Sequence, residues 1–157
     1  MHRIERYRAL CADGRTVDEQ RSLIHQGRWK SSTIVRLEWE CNGRSIEISH
    51  IYGLMAQLLP DRSGVAVLRA SLRSRFSPAL ELIEPDGETR FTLESPIRID
   101  DQDVVGEFAW FESAEASPPP KAAHRLRMVF WSVAGDRYFL LDVDAKTGVI
   151  TAVMPLQ

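Results

Sequence analysis

The chain has 157 residues, of which 44% are apolar and 27% charged, a length and composition that suit one packed domain over 1–157 and argue against extensive disorder. The 20 Lys plus Arg stand against 22 Asp plus Glu, a net charge of −2, so the summed field offers no general attraction to nucleic acid or to an anionic membrane. No run approaches the roughly 18 apolar residues of a spanning helix. The charged opening Met1 to Arg8 leads only into the short apolar stretch Ala9 to Ala12, not a secretory h-region; the expectation is a cytoplasmic protein without membrane insertion.

Taken in chain order, the segment with Tyr7, Leu10 and Cys11 suits a strand or a helical turn and stops at Asp13-Gly14. Cys11 and Cys41 offer a single possible pair, too little for a disulfide framework, and are read as reduced. Thr16-Val17-Asp18-Glu19 places a hydroxyl three residues before a carboxylate, the reciprocal arrangement that satisfies amides at a helix start. It predicts a short helix over 17–26, with Val17, Gln20, Leu23 and Ile24 on one face and Gly27 as its stop. His25, near its end, is accounted for by the helix dipole.

From Thr33 the chain alternates, with Val35, Leu37, Trp39 and Cys41 on one face and Arg36, Glu38 and Glu40 on the other. Asn42-Gly43 tolerates the positive φ angles of a tight hairpin turn. A two-residue turn there opposes Trp39 to Ile46, Leu37 to Ile48 and Val35 to His50, and pairs Glu38 with Glu47 and Arg36 with Ser49. Residues 51–59 lose the alternation and read as a short amphipathic helix or a self-packed loop, ended by Pro60. Val65 to Phe76 alternates as a strand until Pro78.

A second hairpin spans Ala79 to Leu93, where a two-residue Asp86-Gly87 turn opposes Leu82 to Phe91 and Leu80 to Leu93. Ile97-Arg98-Ile99 is a short apolar run before the polar turn Asp100-Asp101-Gln102-Asp103. Val104 to Glu112 is a strand with aromatics on both faces, which calls for a second layer over its outer face. A Pro-rich exposed loop over 113–123, centred on Pro118-Pro119-Pro120, precedes a three-strand meander at the C-terminus. These elements predict an α+β fold, mainly an antiparallel sheet of β-hairpins with one or two short helices, closing as a curved sheet or a partly open barrel.

The chemistry-bearing residues are few. Asp142 to Gly148 begins like a calcium loop, yet Lys146 occupies a ligand position and no closing glutamate follows, so a turn capped by Asp144, with Gly148 at an unusual φ, is the better reading. Asp100, Asp101 and Asp103 are a weak candidate for a hard cation, against a solvated turn. Neither Cys-x-x-Cys nor His-Glu-x-x-His occurs, and no nucleophile elbow or phosphate-binding glycine motif is present. His50 is a weak catalytic candidate with Tyr52 and Glu47, against a satisfied histidine at the core edge. No cofactor is implied.

Arg69, Arg73 and Arg75 share a face if the strand runs to Phe76, with Arg62 upstream, which makes a basic stripe. Aromatics beside charge, Trp29 and Trp110 foremost, match the composition of interface anchors. The segment Phe139 to Ile150 resembles the strand, turn and strand of PepSY-type domains; it covers a small part of the chain, and no fold or function is carried over from it.

The leading reading is a non-catalytic protein-binding module, in the manner of a bacterial immunity, inhibitor or assembly factor. Its partner is another protein, bound through Trp29, Trp110, Arg69, Arg73 and Arg75. Two alternatives stand beside it. One is a small-ligand-binding protein or enzyme in which His50, Tyr52 and a carboxylate such as Glu47 or Asp103 converge in an apolar pocket. The other is a nucleic-acid binder using the stripe from Arg62 to Arg75. Strands 65–76 and 149–154 are also candidate sheet edges through which a homodimer would form.

Overall fold

The computed structural model describes residues 2–19, 33–112 and 124–156. Their strands are β1 (Glu5–Cys11), β2 (Ile34–Cys41), β3 (Arg44–Leu58), β4 (Val65–Arg69), β5 (Ala79–Ile83), β6 (Thr89–Glu94), β7 (Ile97–Ile99), β8 (Gln102–Val104), β9 (Gly106–Phe111), β10 (Arg125–Ser132), β11 (Arg137–Asp144) and β12 (Ile150–Leu156). One sheet has the order β1-β2-β3-β4-β5-β6, a second the order β12-β11-β10-β9, and β7-β8 is a separate hairpin; every pairing is antiparallel. Both large sheets are open, so the fold is the expected hairpin-built α+β type and not a barrel.

The Asn42-Gly43 hairpin forms as its sequence requires. Asn42 and Gly43 have φ of 51° and 76°, and Trp39 faces Ile46, Leu37 faces Ile48, Glu38 faces Glu47 and Arg36 faces Ser49. The expected pairing of Val35 with His50 does not form. The register shifts after Arg36, and the next pair is Ile34 with Leu54. Residues 50–53 thus lie opposite Val35 alone, an irregularity that reverses the side-chain phase. That phase change corrects the reading of 51–59: residues 51–58 are neither helix nor loop but the continuation of β3, whose residues 54–58 pair with β4. Gly53 takes φ of 107° at the irregularity, where a Cβ would lie 2.7 Å from the Thr33 side chain.

The second hairpin keeps its expected pairs, Leu82 with Phe91 and Leu80 with Leu93. Its turn is wider than Asp86-Gly87. The amide of Gly87 donates to the Glu84 carbonyl at 2.9 Å and that of Glu84 to the Glu88 carbonyl at 2.7 Å, and a register shift after Leu82 absorbs the extra residue. In the β7–β8 hairpin Asp100 and Asp101 have φ of 49° and 63°, the backbone of a two-residue hairpin turn.

Both faces of β4 are buried, each in a different core. Ala66 and Leu68 join Leu80, Leu82, Phe108, Leu126, Met128, Phe130 and Leu141 between the two large sheets. Val65 and Val67 point the other way, into a cluster with Leu37, Trp39, Cys41, Leu54 and Ile83. A strand buried on both faces has no polar alternation to display.

Strand β4 ends at Arg69, shorter than the reading to Phe76. Ala70 donates to the Gly53 carbonyl at 3.0 Å, and Ser71 and Ser74 then satisfy each other's backbone groups, a local alternative to the ladder. Because β4 lies inside its sheet it is no edge, while β12 is one. The expected meander is present as β10-β11-β12, with β9 added beside β10. Thr16 and Glu19 form the reciprocal cap at 3.0 and 3.2 Å as residues 17–19 turn helical. The rest of the expected helix to 26, with His25, and the Pro-rich loop 113–123 lie outside the described residues.

Candidate protein-binding surface

The surface is built around the loop from Ala70 to Pro78, which links β4 to β5 and bonds to β3 of one sheet and β9 of the other. At one end it is held to β3: besides the Ala70 bond to Gly53, the His50 ring Nε2 lies 2.5 Å from the Ala70 carbonyl. At the other end Ser77 and Phe108 exchange both backbone hydrogen bonds, at 2.7 and 2.8 Å, which fastens the loop to β9. Phe76 is thereby laid edge-on against Trp110 at 6.1 Å and Trp131 at 5.8 Å, and Trp110 tilts against Tyr138 at 5.8 Å.

These aromatics lie on the outer face of the four-stranded sheet, away from the core residues Phe130 and Phe139. Phe76 packs on Trp110, on the outer face of β9. The Trp110 indole donates to Glu112 at 2.9 Å and the Trp131 indole to Asp136 at 3.0 Å. Each ring therefore has its polar edge satisfied. Trp110 remains 36% exposed.

Toward β3 the same surface carries Ile51, 82% exposed, Tyr52 and Leu72, 79% exposed. Large apolar side chains left this bare are the composition of a contact surface. His50 meets Tyr52 ring to ring at 5.8 Å. Ile51 and Tyr52 are exposed beside it. Glu47 lies elsewhere, on a charged groove of about 430 Å³ with Arg6, Arg8, Glu38 and Glu40, where it accepts from Ser49 at 2.9 Å.

The arginines divide. Arg69 pairs with Glu81 at 2.6 Å, and Arg62 donates to the Ile4 carbonyl at 3.2 Å. Arg73 and Arg75 stand exposed on the loop, beyond the end of β4, so the common strand face expected for Arg69, Arg73 and Arg75 does not exist. Trp29 lies outside the described residues. Sequence reasoning passed over Ile51 and Leu72, and it left Phe76, Trp131 and Tyr138 unconnected. Tyr138 and Trp131 are direct cross-strand partners, which the turn at 134–136 signals, whereas the reach of Phe76 has no local signal.

Among the described residues no group of three or more His, Cys, Asp or Glu side chains is arranged to hold an ion. Asp100 and Asp101 form the turn, and Asp103 pairs with Arg98 at 3.1 Å. Asp142 is 1% exposed and is held by Arg127 at 2.7 Å and by Arg125. Burial opposes its ionisation, but the hydrogen bonds and charges of the two arginines prevail and hold its pKa below the usual carboxylate value. Asp144 caps the Lys146 amide at 2.8 Å and Gly148 has φ of 79°, the turn expected in place of a calcium loop. Cys11 and Cys41 are free and buried, and burial, helped by Asp13, pushes the Cys11 thiol up, away from nucleophilic reactivity.

Fold and surface together define an antiparallel two-sheet protein with an exposed aromatic and basic flank. No protein-family model matches the chain, and no curated protein matches it in sequence. Its architecture is similar to that of a solved chain from the structure of Tne2 in complex with Tni2, with a TM-score of 0.83 and 22% identity, covering 98% of this chain and 99% of that one. No described helix is long and apolar enough to cross a membrane.

Proposed function

We propose that this chain is a non-catalytic protein-binding module of the immunity or inhibitor kind, acting in the cytoplasm on another protein. The observation that carries the reading is the similarity, over nearly the full length of both chains, to a chain solved in a complex of two proteins. The flank around Phe76, Trp110, Trp131 and Tyr138 supplies what such binding needs: large rings held in place before contact, with charge at their rim. Ordering cost is already met by the fold, so burial of the rings on association is retained as affinity.

The test is capture from the native cell with the tagged full chain. A stoichiometric protein partner, whose expression alone arrests growth and whose effect is relieved by this chain, is the expected outcome. Recovery of the chain alone, or a partner whose activity the chain leaves unchanged, overturns the proposal.

A further inference from the structure

We propose that the 70–78 loop is the recognition element for that partner. In this proposal Leu72 enters an apolar socket bordered by acidic side chains, and Arg73 and Arg75 meet those carboxylates. The inference rests on the protein-binding reading and names the chemistry of the partner's surface.

The loop is tied down by its own hydrogen bonds before contact. Ser71 donates its amide to the Ser74 carbonyl at 2.8 Å, the Ser74 amide donates to the Ser71 hydroxyl at 3.0 Å, and the Phe76 amide donates to the Ser74 hydroxyl at 3.1 Å. The Ser77 hydroxyl donates to the Ala79 carbonyl at 2.6 Å. With the fastenings to Gly53 and Phe108, these bonds hold the loop at both ends and within, and Leu72, Arg73 and Arg75 remain exposed. A loop built this way loses little conformational freedom on binding.

Its charge selects the partner. Residues 70–78 hold two arginines and no carboxylate, and neither Arg73 nor Arg75 has an ion-pair partner among the described residues. Several arginines elsewhere are neutralised at home: Arg69 by Glu81, Arg90 by Glu84, Arg125 and Arg127 by Asp142. Two unpaired cations beside an aliphatic knob, on a chain whose net charge is −2, form a local inversion of sign that an acidic protein surface complements. A phosphate backbone is the poorer fit, because Leu72 and Ile51 would find nothing apolar to bury against.

The test uses the full-length chain and the partner protein recovered by the capture above. First, p-benzoylphenylalanine replaces Leu72, and the photo-crosslinked partner peptide is sequenced. Second, association is followed over a salt series for the native chain, the double variant Arg73→Glu/Arg75→Glu, and Arg44→Glu as a charge-reversal control in a distant hairpin. The expected results are a crosslinked peptide carrying Asp or Glu beside apolar residues, and association slowed about ten-fold at low salt by the double variant but not by Arg44→Glu. A captured partner that crosslinks through a basic segment or not at all, or that associates equally fast with the double variant, overturns the loop assignment and leaves the protein-binding reading standing. Crosslinking to nuclease-sensitive material overturns the acidic-protein assignment. Absence of any protein partner overturns both.

Discussion

The indole N–H of Trp39 donates to the carbonyl of Pro85 at 2.7 Å inside the protein, tying β2 to the β5–β6 turn across 46 residues of chain. Trp39 is 2% exposed, so neither group has water as an alternative. Trp39→Phe keeps most of the apolar volume and strands the carbonyl, at a cost of about 1–3 kcal/mol. Trp39→Ala adds a cavity and costs about 3–5 kcal/mol. Urea unfolding followed by circular dichroism measures both; equal stability of native and Phe forms contradicts the bond's role.

Gly106 sits opposite Ser132, where β9 meets β10. A Cβ there would lie 2.1 Å from the Trp131 carbonyl and 2.8 Å from the Phe130 ring, so Gly106→Ala forces the two strands apart and destabilises by at least about 1–3 kcal/mol. At Gly135 the nearest atoms are 3.5 Å away on the Arg137 side chain, and Gly135→Ala is expected to stay within about 0.5 kcal/mol. Comparison of their melting temperatures separates steric crowding from a general intolerance of substitution in this sheet.

Asp142 gives a pH signature. Its folded-state pKa is held below the unfolded value of about 4. The stabilisation it provides is therefore complete above the unfolded pKa and is lost as pH falls through the folded one. Asp142→Asn leaves Arg125 and Arg127 without their shared carboxylate, lowers stability at neutral pH by on the order of 3 kcal/mol, and flattens the acid side of the stability profile. An unchanged slope between pH 5 and 2 in the variant, read by denaturant titration at each pH, refutes this.

Arg90 joins the sheets. Its guanidinium pairs with Glu84 and donates to the Ser63 carbonyl at 2.6 Å and the Ala145 carbonyl at 2.9 Å. A lysine ammonium lacks the planar fork that serves these directions together. Arg90→Lys is expected to cost about 1–3 kcal/mol for each carbonyl left unmet, and hydrogen exchange of the β11–β12 turn should quicken. Exchange unchanged at Ala145 to Gly148 counts against the clasp.

At the proposed binding surface, Trp110→Ala removes the exposed ring and with it the packing against Phe76 and Tyr138. Stability falls by about 0.5–1.5 kcal/mol for each of these two aromatic pairs, while partner affinity falls about 30-fold, the scale of an interface anchor. Calorimetry with the captured partner reads the second number, and an affinity unchanged within about two-fold removes Trp110 from the interface.

What the sequence determined by itself are the features set within a few residues of one another: the Asn42-Gly43 hairpin with Trp39 against Ile46, the pairs Leu80–Leu93 and Leu82–Phe91, the Thr16–Glu19 cap and the Asp144–Gly148 turn. Turn chemistry and side-chain alternation act at that range, so they are legible in a linear reading. Only the tertiary structure decided the phase reversal at 50–53, the double burial of β4, and the meeting of Phe76 with Trp110, Trp131 and Tyr138. Those depend on which strand lies beside or above another, a matter of packing between segments tens of residues apart. No local period records it.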